Sequence, residues 1–504
     1  MADYPGANRP DVFLSREKLY ERNDYVIKWS MVKTYPLYLN GEFVTTNKQF
    51  PVKNPATGQA FAQMSAIDRP RLALAIQDAH AAFTGWRALT GKARGEYLHK
   101  IANELERRRD EIARTMTLET GKPLAQSVGE VGMAVDHLHW FAEETRRGYG
   151  RIIPHQTDGK RNLVVKTPIG VVGAISPWNF PLALSVRKIA PALAAGCTAI
   201  LKPASYTPLC NVAFAEACDA VKLPKGVFQL VAGSASEIGD EFLQNPLVRK
   251  ISFTGSTEVG QRLIAGAAAQ VKPLSLELGG LNPVLVFDDA DLEKAVEGAM
   301  LAKFRNTGQS CIAANRIYVQ RGIYDAFVKL MTEKTKAMKV GDGFEPDVQI
   351  GAMIDENAVK KALEHVTDAV QHGARLLCGG KRLDRPGYFF EATVLADVPK
   401  DSLCLKEETF APVAAITPFA TEAEAIAAAN SAPFGLAAYA FTRDLSRSFR
   451  LMEQIEAGML GINDGLPTTS NAPFGGVKQS GWGRELGSEG LDSFLETKHI
   501  SIAL

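Results

Sequence analysis

A cysteine in a loop of small polar residues is the first candidate for covalent chemistry. Cys311 ends the stretch Asn306-Thr307-Gly308-Gln309-Ser310-Cys311, between a helix-period segment and a strand-like one. A thiol with an ordinary pKa of about 8.5 becomes a nucleophile near neutrality only where its surroundings favour the thiolate. Free backbone N–H groups in such a loop offer that help, so a stabilised thiolate is one expectation for Cys311. Inert packing is the other, and the sequence leaves both open. The remaining cysteines, Cys197, Cys210, Cys218, Cys378 and Cys404, have apolar or helical neighbours and read as packing residues.

Two further groups could serve such a sulfur. Glu277 stands in Leu274-Ser275-Leu276-Glu277-Leu278-Gly279-Gly280. A carboxylate in an apolar strand end is unfavourable unless it is paired or keeps its proton, and a raised pKa makes a useful general base. An exposed strand face would explain Glu277 equally well. Asn179, in Pro177-Trp178-Asn179-Phe180-Pro181, either offers a side-chain N–H to a developing oxyanion or caps the following helix. The stretch Phe253–Gly260 reads as strand, glycine turn and helix start, where backbone N–H groups favour phosphate. Its spacing is not Gly-x-Gly-x-x-Gly, so alone it is a weak dinucleotide signal.

These residues need elements to hold them. Between 163 and 281, apolar β-rich runs (Asn162–Ile175, Thr198–Leu201, Val227–Val231, Lys250–Phe253, Leu274–Leu278) alternate with helix-period stretches. That alternation predicts a parallel sheet covered by helices on both faces, with ligands at the strand C-termini. A second α/β block follows from Asn282, with a helix capped by Asp289 or Asp291, a strand Arg316–Val319 and a helix from Tyr324 to Met338. Before both units come turns at Asn40-Gly41 and Asn54-Pro55 and two helical faces: Leu72, Leu74, Ile76, Ala79 and Phe83, then Leu98, Ile101, Leu105 and Ile112. The triplet Arg107-Arg108-Arg109 lies between glutamates and reads as a solvated helix face. Residues 1–35 read as an extension with a helical patch around Ser15 to Trp29, and Leu491–Leu504 as a strand with no evident partner in its own unit.

The bulk properties narrow the function class. The 504 residues carry 57 Lys and Arg against 56 Asp and Glu, a net charge of +1, with 46 % hydrophobic residues. Two to four structural units fit this length. That balance removes the usual reason to expect a nucleic-acid or anionic-membrane partner, which needs clustered basic charge. The longest nearly apolar run, Ile189–Leu201, is too short to span a bilayer and holds Pro191 and Gly196. No cysteine pair or neighbouring histidine has ligand spacing, so no metal site or disulfide framework is expected, and a reducing cytoplasm is the default location.

Taken together, the motifs PWNFP (177–181), LKPAS (201–205), FTGSTEVG (253–260), LELGG (276–280), GQSCIAANR (308–316), EETFAP (407–412) and PFGGVKQSGWGRE (473–485) resemble the aldehyde dehydrogenase superfamily from about Tyr38 to the C-terminus. The resemblance implies an α/β fold with a parallel-sheet, Rossmann-type cofactor domain (36–150 and 167–281). It also implies a second α/β catalytic domain (282–480) and a small β oligomerisation element (151–166 with 487–504) that builds a homodimer or homotetramer. It makes Cys311 the nucleophile, Asn179 with the Cys311 N–H the oxyanion donors, and Glu277 the base that activates water against a thioester. Trp178, Lys202, Ser205, Gly255, Ser256, Leu278, Glu408 and Phe410 match cofactor-lining positions. Ser205 stands where NAD-preferring relatives often carry Glu, so NADP is favoured and NAD remains open, since a neutral hydroxyl does not repel a 2′-phosphate.

Arg187 and Arg305 resemble the carboxylate clamp of succinate semialdehyde dehydrogenases, the relatives the chain is most similar to, and an Arg fork suits a carboxylate. The loop Leu466–Asn471 should complete that pocket with a hydroxyl from Thr469 or Ser470. Ala313 stands where some of these relatives carry a second cysteine, so no internal redox switch is expected. Rival substrates are glutarate or 2-oxoglutarate semialdehyde and a small hydroxyaldehyde. A CoA-acylating enzyme, a thiol hydrolase and an inactive dinucleotide-binding protein are the readings outside that activity.

Overall fold

The Asn40-Gly41 turn closes the hairpin it announces. In the computed structural model, which describes residues 33–504, β2 (Leu37–Leu39) pairs antiparallel with β3 (Glu42–Val44) in the register Leu39↔Glu42. Asn40 and Gly41 have φ of 48° and 77°, the left-handed pair that a two-residue hairpin requires. The adjoining strands β1 (Thr34–Tyr35), β4 (Gln49–Asn54) and β5 (Gln59–Ser65) form a separate small sheet. The helical patch expected at Ser15–Trp29 lies outside the described residues.

Four helices follow: α1 (Arg69–Ala88), α2 (Gly91–Arg107), α3 (Arg109–Thr120) and α4 (Leu124–Glu144). Asp68 caps α1 by accepting from the Arg71 N–H. Leu72, Ile76 and Ala79 are buried as expected, but Leu74 is exposed. Two residues along a helix is a turn of about 200°, which carries Leu74 off the shared face. The second apolar face is divided between α2 and α3, and the arginine triplet sits at their junction. Arg107 pairs with Glu104, Arg108 with Glu111 and Glu216, and Arg109 with Glu106.

The run Asn162–Ile175 separates into two strands of different sheets. One of them, β7 (Lys160–Pro168), joins the short β6 (Arg151–Ile153), while β8 (Val171–Ile175) opens the main sheet. Along the chain come α5 (Pro181–Ala195), β9 (Thr198–Lys202), α6 (Leu209–Ala220), β10 (Phe228–Leu230), α7 (Ala235–Gln244), β11 (Val248–Thr254), α8 (Thr257–Ala267) and β12 (Leu274–Glu277). The parallel strands lie in the order β12-β11-β8-β9-β10. The chain thus reverses its direction of travel across the sheet after β10. This makes the ends of β8 and β11 a switch point, where the crossovers diverge and leave a crevice. The hairpin β2–β3 extends the sheet beyond β10.

The second unit is a seven-stranded sheet. Its strands β13 (Asn282–Val286), β14 (Ala314–Gln320), β15 (Arg375–Cys378), β16 (Thr393–Ala396), β17 (Val413–Phe419), β19 (Ala437–Phe441) and β20 (Met459–Ile462) lie in the order β15-β16-β17-β14-β13-β19-β20, parallel except for β15. Helix α9 (Leu292–Phe304), capped by Asp291, connects β13 toward β14. The short β18 (Phe434–Gly435) and β21 (Val477–Lys478) pair with each other. Next, β22 (Gly481–Trp482) crosses back to the first unit and pairs antiparallel with β12, Glu277 opposite Gly481. A Cβ on Gly481 would lie 1.9 Å from the Leu276 carbonyl oxygen, so only glycine allows this approach.

The C-terminal strand finds its partner outside its own unit. Strand β23 (Leu495–Ala503) pairs antiparallel with the whole of β7, from Leu495↔Pro168 to Ala503↔Lys160. Because the partner is more than 300 residues away in sequence, no local pattern announces it.

Candidate active site

Cys311 is held in place by side-chain amides that grip backbone carbonyls. Between α9 and Cys311 the chain turns sharply, with Asn306 and Thr307 in left-handed backbone at φ 54° and 59°. Such conformations persist only where surrounding bonds over-determine them. Here Asn306 Nδ2 donates to the Asn179 carbonyl at 3.0 Å and to the Gln309 carbonyl at 2.9 Å. The Thr307 hydroxyl oxygen accepts from the Gly351 N–H at 3.0 Å. Asn179 Nδ2 donates to the same Gln309 carbonyl at 3.1 Å, two residues before the sulfur. From the other side, Asn282 Nδ2 donates to the Cys311 carbonyl at 2.8 Å. Asn282 begins β13, five residues after Glu277. Three segments distant in sequence therefore meet at one loop.

Asn179 is not the helix cap. Phe180 occupies that position of α5, and Asn179 is buried with Oδ1 unpartnered and one N–H committed to Gln309. Glu277 is likewise not on an exposed strand face. It is 3 % exposed and its Oε2 has no partner. Burial, followed by the nearby Glu485, pushes its pKa well above the carboxylate range, while Lys188, Arg187 and Arg484 draw it back.

The surroundings of Cys311 oppose a stabilised thiolate, one of the two expectations for it. Desolvation, and after it the charge of Glu277, pushes the Cys311 thiol up to about 12, with Arg187 opposing. Burial thus works against the help that the loop N–H groups offer. The sequence also gave no role to the ion pair beside this site. Lys188 Nζ sits 2.5 Å from Glu485 Oε1 and donates to Thr254 Oγ1 at 2.6 Å. The available signal was charge inside an apolar helix, since every residue of α5 is buried.

A narrow pocket has Cys311, Phe180, Arg187, Arg305, Thr468 and Phe474 among its lining. The Arg187 guanidinium lies 4.3 Å from the Phe474 ring centroid, and Arg305 lies 4.8 Å from that of Phe180. Arg187 is 4 % exposed and its Nε and Nη1 have no hydrogen-bond partner, with Glu485 Oε2 at 3.9 Å. The expected hydroxyls miss this pocket. Ser470 Oγ donates to Asp136 and contacts His137 Nδ1 at 2.7 Å, and Thr469 Oγ1 turns to Asn471 at 2.8 Å. Thr468 lines the wall instead. In an irregular loop, adjacent hydroxyl residues carry no periodic cue to which one faces inward.

The cofactor-position residues gather at the crevice. Trp178, past the end of β8, packs edge-on against Phe410 at 5.6 Å. Lys202 ends β9, and burial alone lowers its pKa to about 8, so an anion beside it would be strongly favoured. Ser205 is exposed in the turn that follows. Gly255 leads into Ser256, which caps α8 by accepting from the Val259 N–H at 3.4 Å. Leu278 is buried behind that helix start, 2.6 Å from where a Cβ on Gly260 would stand. Glu408 accepts weakly from the Gly280 N–H at 3.5 Å, and burial raises its pKa to about 7. A buried ammonium, a lightly held carboxylate, a helix N-terminus and an aromatic wall thus lie at or near the strand ends. No helix of the described residues is long and apolar enough to cross a membrane.

The family model described as "Aldehyde dehydrogenase family" matches residues 43–500. The succinate-semialdehyde dehydrogenase [NADP(+)] of Escherichia coli (strain K12) is 50 % identical over 469 residues, covering 92 % of this chain and 97 % of that protein. A glutarate-semialdehyde dehydrogenase of Pseudomonas aeruginosa is 48 % identical over 467 residues, with 92 % and 97 % covered. The crystal structure of an NADP-dependent enzyme of E. coli superposes with a TM-score of 0.92 at 49 % identity, covering 94 % of this chain and 98 % of that one. Because the match runs through the strand ends, the cysteine loop and the returning C-terminal strands alike, the chain belongs to the aldehyde dehydrogenase family.

Proposed function

We propose that the chain oxidises succinate semialdehyde to succinate, with NADP as the favoured hydride acceptor and Cys311, Asn179 and Glu277 as the catalytic residues. The observation that carries this reading is the pocket, in which Arg187 and Arg305 share one wall system with Cys311. Two buried guanidinium nitrogens of Arg187, Nε and Nη1, have no hydrogen-bond partner. A carboxylate at the far end of a short aldehyde satisfies them while its carbonyl meets the sulfur. Glutarate semialdehyde, one methylene longer, is the second reading, supported by the similarity to the Pseudomonas enzyme.

The Cys311 thiol gives its proton to water, its sulfur attacks the aldehyde carbon, and the Asn179 side chain with the Cys311 N–H receives the developing oxyanion. A nicotinamide dinucleotide held at the strand ends would supply the hydride acceptor, and the carbon that gives up hydride would remain on Cys311 as an acyl thioester. Glu277, with its raised pKa, takes a proton from water as that water attacks the thioester, and the carboxylic acid departs. Lys202 and Ser205 favour the 2′-phosphate, and Glu408 takes ribose hydroxyls.

We assign 36–150 with 167–281 to cofactor binding and 282–480 to catalysis. Residues 151–166 with 487–504 form the element that joins copies into a dimer or tetramer. The six unpaired cysteines support a cytoplasmic location. Steady-state rates at 340 nm with succinate semialdehyde, glutarate semialdehyde and butanal, each with NADP and NAD, test the reading. Butanal as efficient as the semialdehydes rejects the arginine clamp. A preference for NAD above about tenfold, or 1.4 kcal/mol, rejects the cofactor assignment.

A further inference from the structure

Helix α5 lacks a cap of its own. Phe180 holds the N-cap position without a side-chain hydrogen bond, and a proline opens the first turn. The N–H groups of that turn are met from α4, where Glu130 Oε1 accepts from Leu182 at 3.0 Å and Ala183 at 3.2 Å. The other oxygen, Oε2, takes Lys122 Nζ at 2.6 Å. The two side chains are 2 % and 1 % exposed. Lys122 Nζ also donates to the Asn179 carbonyl at 2.7 Å and lies 4.4 Å from the Phe180 ring centroid. The side-chain hydrogen bonds of this pair beyond itself therefore end on residues 179 to 183.

A buried ion pair is a poor source of stability, because desolvating two charges offsets most of their attraction. Here it supplies direction. The Asn179 side chain is held by one hydrogen bond, to Gln309, and its Oδ1 has no partner. Where its second N–H aims is thus set by where its backbone stands. That backbone carbonyl is pinned by Lys122 and Asn306.

We propose that Lys122 and Glu130 are positioning residues for the oxyanion-binding amide, together fixing the Asn179 backbone and the first turn of α5. The proposal rests on Asn179 being an oxyanion donor. Neither side chain touches the reacting atoms. Removing an oxyanion donor outright lowers kcat by about 10²–10³, and a misdirected donor loses part of that.

A double-mutant cycle tests this with wild type, Asn179→Ala, Lys122→Met/Glu130→Gln and the combined variant, on succinate semialdehyde and butanal. Replacing both charges leaves no lone buried charge behind. The pair variant is expected to lose about 10- to 100-fold in kcat with both aldehydes, with KM within about threefold. In the Asn179→Ala background the same replacement is expected to cost less than about threefold. An equal loss in both backgrounds overturns the proposal, because a general structural defect does not depend on Asn179. If Asn179→Ala keeps wild-type kcat, the oxyanion assignment itself falls and takes the proposal with it. Should the pair variant not yield soluble protein, Lys122→Met alone enters the same cycle with the same two readings. Glu130 then keeps the Leu182 and Ala183 N–H groups as partners while the Asn179 carbonyl loses Lys122.

Discussion

Arg305→Met separates carboxylate recognition from catalysis. Arg305 stacks on Phe180 at 4.8 Å, and burial lowers its pKa. Methionine preserves much of the apolar contact and removes the charge. A hydrogen bond to a charged partner contributes about 1.5–3 kcal/mol. The expected loss in kcat/KM for succinate semialdehyde is therefore about 10- to 150-fold. The uncharged butanal should change by less than about threefold, since its alkyl end asks nothing of the guanidinium. The stacking lost is worth about 0.5–2 kcal/mol, so the thermal midpoint should fall by only a few degrees. Initial rates at 340 nm over a range of each aldehyde, at saturating NADP, provide the comparison. Equal losses on both substrates, or none on the semialdehyde, would refute the clamp.

Glu277→Gln should show a first-turnover burst of reduced cofactor followed by slow turnover, because thioester formation survives and hydrolysis does not. In wild type the raised pKa places the rising limb of the kcat–pH profile above the ordinary carboxylate range, and that limb should vanish in the variant. With the charge of Glu277 gone, iodoacetamide should label Cys311 at lower pH than in wild type. Unchanged labelling would mean that burial alone governs the thiol. Ser205→Glu should turn the cofactor preference toward NAD by at least about tenfold in kcat/KM ratios, through repulsion of the 2′-phosphate. An undiminished NADP preference would move that contact elsewhere. Deleting residues 495–504 bares the β7 edge that β23 covers, and light scattering should then report a smaller assembly or aggregation. An unaltered assembly would remove this sheet from the interface.

Much of the positioning scaffold was legible locally. The Asn40-Gly41 turn, the helix that Asp291 caps and the β–α alternation between β8 and β12 are short-range patterns whose period reports the backbone that satisfies its own hydrogen bonds. Leu74 misled because a run of aliphatic residues is not a face. Ser470 and Thr469 misled because a loop has no period at all.

What the sequence determined by itself was the set of reactive groups and the family motifs carrying them: a sulfur at 311, a carboxylate at 277 and an amide at 179, each beside a strand end or a turn. Only the tertiary structure decided their state and surroundings. It enclosed Glu277 beside the Lys188–Glu485 pair, pushed the Cys311 thiol up by burial, turned Thr468 rather than Ser470 into the pocket, and set Lys122 behind Asn179. The reason is that burial and charge act through space. A pKa or a free hydrogen-bond donor is fixed by atoms that segments hundreds of residues apart bring within a few ångströms, and no local pattern along the chain encodes that meeting.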